Sequence, residues 1–228
     1  LFPPIEEAED DGLLAVGGDL TKERLLGAYR RGIFPWYEVG QPILWWSPDP
    51  RLVLFPDELK ISRSLRKVLR KEQFEIRFDT VFQEVIKSCA DVRTKQGEGT
   101  WIIPEMQQAY TELHQEGFAH SVESWLDGKL VGGLYGISMG QCFFGESMFS
   151  TMNDSSKVAL VALTDFSQRV GIKLIDCQMT TPHLLSLGAR EIKREVFIKM
   201  LKKYLETYSI KGLWNNGPVS MKVNLLQN

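Results

Sequence analysis

The chain has 228 residues, a formal net charge of −2, 43% hydrophobic and 25% charged residues, an ordinary balance for a globular protein that buries a proper core without metals or disulfides. Near-neutral charge excludes a uniformly basic nucleic-acid binder but leaves room for a local basic face. No apolar run approaches the ~20 residues of a membrane span, and the first residues, Leu-Phe-Pro-Pro-Ile-Glu-Glu, lack a basic stretch followed by an apolar one. Cys89, Cys142 and Cys177 stand alone in apolar sequence with no CxxC pair, which suits free thiols in a reducing compartment, so a cytoplasmic protein is expected.

Residues 1–50 are broken by Gly17-Gly18-Asp19, Gly32, Pro35, Gly40, Pro42, Pro48 and Pro50, and only one helix fits, opened by Thr21 and closed near Gly32. Trp36, Trp45 and Trp46 cluster around it, so a small aromatic-rich N-terminal domain is expected at 1–50, with a larger domain at 51–228. From Leu52 the pattern turns regular: a strand at 52–55, a helix at 62–71, a strand at 74–78, and helical spacing at 80–90 and 104–116. Strands follow at 119–126, 129–138 and 141–146, the first two joined by an Asp127-Gly128 turn. A helix at 155–170, a strand at 173–178 and helices near 184–187 and 194–208 complete the pattern. It predicts an α+β fold, a mixed and largely antiparallel sheet with helices packed on it.

Three stretches carry chemistry. Cys-Phe-Phe-Gly-Glu-Ser-Met-Phe-Ser at 142–150 lodges Glu146 among aromatics with no neighbouring base, a placement that calls for a partner or a ligand. Leu-Ile-Asp-Cys-Gln at 174–178 alternates Asp176 and Gln178 with apolar residues, which predicts that both point to one face of their strand, either as a site or as a turn at the strand end. On a helix at 60–71, Arg63, Arg66, Lys67 and Arg70 share a face opposite Ile61, Leu65, Val68 and Leu69; such a stripe suits a phosphate backbone and equally an ordinary solvated surface. Trp36, Trp45, Trp46 and Trp101 are candidates either for stacking on an unpaired base or for core packing. His114, His120 and His183 lack metal-ligand spacing, and no nucleophile elbow, P-loop or dinucleotide fingerprint occurs.

Several long segments resemble the leucyl/phenylalanyl-tRNA-protein transferase family: Gly-Leu-Leu-Ala-Val-Gly-Gly-Asp-Leu at 12–20, Arg-Gly-Ile-Phe-Pro-Trp-Tyr at 31–37, Pro-Ile-Leu-Trp-Trp-Ser-Pro-Asp-Pro-Arg at 42–51, Phe-Gly-Glu-Ser-Met-Phe-Ser at 144–150, Asp-Cys-Gln at 176–178 and His-Leu-Leu-Ser-Leu-Gly-Ala at 183–189. The last 35 or so residues carry no such motif. The resemblance implies a bacterial, monomeric enzyme that moves Leu or Phe, and Met more weakly, from aminoacyl-tRNA to the N-terminal Arg or Lys of an acceptor protein, marking it for N-end rule degradation. It also implies an N-acetyltransferase-like C-terminal domain and no cofactor. The stretch 145–157, where that fold takes a CoA pyrophosphate, holds one Gly and the acidic residues Glu146 and Asp154 and is poor for the purpose. A CoA-dependent N-acetyltransferase and a non-catalytic binder of protein N-termini or RNA ends are the alternatives.

By the same resemblance Asp176 is the candidate base, Gln178 orients the amine, and Glu146 supports the network. Trp36 and Trp101 match positions that hold the terminal adenosine. Leu134, Phe143, Leu160, Leu163 and Ile175 match the pocket for the transferred side chain. Arg63, Arg66, Lys67 and Arg70 are the expected contacts to tRNA phosphates.

Overall fold

A computed structural model describes residues 2–95, 100–207 and 212–215. The chain begins with β1 (Leu13–Val16), α1 (Lys22–Tyr29), β2 (Phe34–Pro35) and β3 (Leu44–Trp46), whose strands form an antiparallel sheet in the order β1-β3-β2. It continues through β4 (Arg51–Leu54), α2 (Arg63–Arg70), β5 (Glu75–Phe78), α3 (Phe82–Lys95), α4 (Pro104–Gln115), β6 (Ala119–Leu126), β7 (Lys129–Met139) and β8 (Cys142–Ser150). The last elements are α5 (Ser155–Val170), β9 (Leu174–Gln178), α6 (Pro182–Ser186), β10 (Arg190–Ile192) and α7 (Arg194–Leu205).

The second sheet has seven strands in the order β10-β4-β9-β8-β7-β6-β5. Every neighbouring pair is antiparallel except β8 and β9, which α5 joins as a crossover. The expected α+β class with a mixed, largely antiparallel sheet is what the chain forms. Local chemistry sets several boundaries: Ser62 caps α2 by accepting from Leu65 N at 3.1 Å, and Thr181 caps α6 by accepting from Leu184 N at 3.2 Å. Asp127 and Gly128 take φ of 49° and 72° between β6 and β7, as a tight hairpin turn requires. Buried Glu123 accepts from Thr80 N, Val81 N, Ser121 Oγ and Trp125 Nε1, and so anchors the entry to α3.

Helices cover both faces of the large sheet and enclose two apolar layers. One joins Leu25, Tyr29, Phe34 and Trp45 of the first fifty residues to Tyr110, Phe144 and Phe197. The other lies between the sheet, α2 and α5. Trp45 is therefore a core residue, 1% exposed, with Nε1 donating to Gly17 O at 2.8 Å.

Where the elements differ from expectation, length is the reason. The strand expected at 141–146 runs to Ser150, and the helix expected at 80–90 runs to Lys95. β1, β2, β3 and β10 span two to four residues each, too short for alternation to register. The expected end of the last helix, residue 208, lies outside the described residues.

One irregularity positions the site. Tyr135 pairs with Ser147 and Gly136 with Gly145, so Glu146 is an extra residue bulged out of β8. The bulge switches the faces of the strand: Phe143 and Met148 belong to the α5 layer, whereas Phe144 and Phe149 belong to the other. Gly136 permits the close approach here, because a Cβ on it would lie 2.1 Å from Phe144 O and 2.6 Å from the Phe143 ring. Gly136→Ala is expected to destabilise the protein by about 1–3 kcal/mol through overpacking, read as a lower urea midpoint at unchanged slope; an unchanged midpoint would mean that the bulge is not sterically fixed.

Candidate active site

β8 and β9 pair only at Cys142–Leu174, Phe143–Ile175 and Phe144–Asp176, and then separate. A cavity of about 450 Å³ opens in the split, lined by Gly145 to Met148 of β8 and by Cys177 and Gln178 of β9. Leu134, Phe143, Leu160, Leu163 and Ile175, from β7, β8, α5 and β9, form its apolar wall, each at most 3% exposed. Trp36 and Trp101 also line it; Trp36 is 41% exposed and sits at the mouth, where its ring meets that of Trp46 at 5.8 Å. The structure thus gathers all seven expected substrate-binding residues around one space.

Glu146 is buried in the wall of this cavity, paired with no cation among the described residues. Tyr29 of α1 donates to Oε1 at 2.7 Å, Tyr110 of α4 donates to Oε2 at 3.0 Å, and Gln178 Nε2 donates to Oε1 at 2.7 Å. The two tyrosine hydroxyls also touch each other. Burial holds the Glu146 carboxyl up at about 7, against the pull of the Tyr29, Tyr110 and Gln178 hydrogen bonds and with a smaller push from the Asp176 charge. Burial, followed by the Glu146 charge, likewise raises both phenols well above their ordinary range. Tyr29 and Tyr110 were not foreseen as site residues, since each falls at helical spacing among apolar neighbours and reads as core.

Asp176 occupies a different environment. It is fully buried, and Arg51 Nε and Nη2 reach its two oxygens at 2.8 and 2.7 Å. The guanidinium is itself sealed between the rings of Phe34 and Phe197, at 4.8 and 4.7 Å. Asp176, the expected base, has both oxygens committed to Arg51 and does not line the cavity. The expectation that Asp176 and Gln178 share a face fails. The β4 to β9 register slips at Cys177, which is an extra residue as Glu146 is on β8. Asp176 Oδ1 accepts from Gln178 N at 2.9 Å, and Gln178 takes φ of 61°, so its side chain turns into the split toward Glu146. Asp176 therefore positions Gln178.

The four basic residues of α2 lie elsewhere. Leu65 is buried and Val68 and Leu69 are partly buried in the layer shared with α5, while Arg63, Lys67 and Arg70 are exposed and Arg66 is half-buried. None of the four lines the cavity. His183, which is not among the expected site residues, also lines the cavity; burial and the charge of Lys157 lower its pKa.

Comparison with known proteins adds the family. Residues 53–202 match the model described as leucyl/phenylalanyl-tRNA protein transferase, and residues 18–49 match the N-terminal domain of the same name. The leucyl/phenylalanyl-tRNA–protein transferase of Aromatoleum aromaticum is 61% identical over 216 residues, covering 94% of this chain and 91% of the relative. That of Syntrophobacter fumaroxidans is 63% identical over 201 residues, covering 88% and 86%. Among solved structures, an aminoglycoside acetyltransferase from an uncultured soil metagenomic sample overlaps 50% of this chain and 84% of its own, at TM-score 0.40 and 15% identity.

Removing one partner of a buried ion pair strands the other charge. Arg51→Met is expected to cost about 3–5 kcal/mol in denaturant unfolding, and the double variant Arg51→Met with Asp176→Leu should recover much of that loss. A loss below about 1 kcal/mol in the single variant would show that the pair does not hold this region together.

Proposed function

The chain belongs to the leucyl/phenylalanyl-tRNA protein transferase family, and from that membership we propose that it carries Leu or Phe, and Met more weakly, from aminoacyl-tRNA to the N-terminal Arg or Lys of an acceptor protein. The product is a protein extended by one residue and marked for N-end rule degradation, and the setting is the cytoplasm, where charged tRNA is made. The observation that carries the reading is one cavity combining a closed apolar pocket, an aromatic mouth and a buried carboxyl group that no described cation neutralises.

In this reading Leu134, Phe143, Leu160, Leu163 and Ile175 take the aminoacyl side chain, while Trp36 and Trp101 take the terminal adenosine. The ester bond to ribose is already activated, so positioning and one proton transfer suffice. An α-amino group has an ordinary pKa of ~7.7–8.0 and arrives largely as an ammonium ion. Glu146, held up at about 7, is matched to take its proton near neutral pH, and is the one carboxylate among the described residues that lines the cavity. The freed amine attacks the carbonyl carbon, forming the C–N bond. The tetrahedral oxyanion then collapses, the C–O bond to ribose breaks, and a second amine proton passes to the departing ribose oxygen. Gln178, fixed through Asp176 and Arg51, holds Glu146 in line. The exposed basic face of α2 holds tRNA phosphates away from this chemistry. The division into a small domain at 1–50 and a catalytic domain at 51–228 belongs to the same proposal, as does action as a monomer.

The test supplies radiolabelled Leu-tRNA and an Arg-starting peptide, with acetyl-CoA as the parallel donor. Labelled Leu-peptide from the tRNA donor alone is expected; product from acetyl-CoA alone, or binding without product, would overturn the assignment. The kcat/KM profile should lose about tenfold per pH unit below about 7, and Glu146→Gln should abolish that inflection while lowering turnover by about 100-fold or more. An unchanged inflection would remove Glu146 as the base.

Reversing the charges of Arg63, Arg66 and Arg70 together should weaken use of aminoacyl-tRNA, most strongly at low salt and less as salt rises, and leave a minimal aminoacyl-adenosine donor unaffected. Equal loss with both donors would place the damage in the fold.

A further inference from the structure

The segment after α7 carries none of the sequence motifs, and the family match ends at residue 202, yet part of it folds back beneath the cavity. Trp214 is 6% exposed and lies in the same apolar layer as Leu134, Phe143, Leu160, Leu163 and Ile175. Its ring meets Phe143 at 5.9 Å and Phe166 at 4.6 Å, both within the range of aromatic contact. Two further anchors fix it. The indole stacks on His120 at 3.9 Å with 3° between the planes, and its backbone N donates to Asp79 Oδ2 at 2.7 Å. Asp79, itself buried, also accepts from His120 Nδ1 at 2.8 Å and from Ser121 N at 2.8 Å, so one carboxylate ties the segment to the edge of β6.

We propose that Trp214 is a specificity-determining residue, which backs Phe143 and thereby sets the depth of the pocket for the transferred side chain. The inference rests on reading the cavity as an aminoacyl site. An apolar pocket discriminates by shape, and the step from Leu to Phe or Met is a matter of a few heavy atoms. Such selection works only if the wall does not yield, and Phe143 is held from behind by a large ring that two anchors immobilise. Trp214 touches no part of the cavity itself, so it acts through Phe143 as a positioning residue.

The experiment measures kcat/KM for Leu-tRNA, Phe-tRNA and Met-tRNA in the full chain carrying Trp214→Ala, Trp214→Leu or Trp214→Phe, with Leu163→Ala as a control in the pocket wall. Trp214→Ala should let Phe143 recede and shift the Phe-to-Leu ratio toward Phe by about 5- to 10-fold, with the KM for the acceptor peptide unchanged. Trp214→Phe should restore most of the original ratio. A general loss of folded enzyme lowers all three donors together and leaves the ratios untouched, which would overturn the proposal; if Trp214→Ala does not fold, the same comparison is made with Trp214→Leu. If Leu163→Ala moves the ratio and no Trp214 variant does, the proposal fails and the aminoacyl reading stands. If neither position moves it, the aminoacyl reading itself falls.

Discussion

The ion pair between Arg51 and Asp176 is the contact on which the rest of the site is built. Stripping water from both charges costs several kcal/mol for each, so a pair of this kind contributes little net stability, and its value lies in where it holds things. It ties β4 to β9. Its guanidinium is packed by Phe34 from the N-terminal sheet and Phe197 from the last helix, so three separate parts of the chain converge on one charge. From Asp176 the constraint passes through the backbone of Gln178 to its carboxamide, and from there to Glu146.

The two carboxylates are separated by environment more than by distance. One has a dedicated cation and no view of the cavity; the other faces the cavity and has only neutral donors. Environments that push two acids apart are a general means of assigning them different tasks. In the proposed reaction this division gives the proton to Glu146, while Asp176 holds Gln178 in place. A reading that counts carboxylates without their partners proposes the roles the other way round.

That reversal marks what the sequence can and cannot disclose. The long elements β6, β7 and α5 were readable as long runs bounded by turn residues such as Asp127-Gly128, Gly140 and Gly171, although they are buried on nearly every side. Glu146 was readable as a site because a charge among Phe143, Phe144 and Phe149 conflicts with its neighbours. The residues of the apolar cavity wall came from resemblance, since Leu134 and Leu160 differ from core residues only in what they face. Tyr29 and Tyr110 stayed hidden for the opposite reason: each satisfies the helical apolar pattern, and its hydroxyl finds its acid through tertiary folding alone. Arg51 closed a family motif yet gave no sign of its partner 125 residues away. The inserted residues at 146 and 177 were invisible, because a strand with a bulge and a strand without one have the same composition.

The bulge at Glu146 has an evolutionary side. Deleting that single residue would not give a tidy strand lacking an acid, since every side chain after it would change sides, sending Met148 and Phe149 each into the layer now filled by the other. A substitution at 146 can be tried without touching this arrangement, but a change in chain length cannot. The fold therefore tolerates loss of the acid by point mutation and not by deletion, so packing alone makes the count of residues between Gly136 and Ser155 harder to alter than their identities.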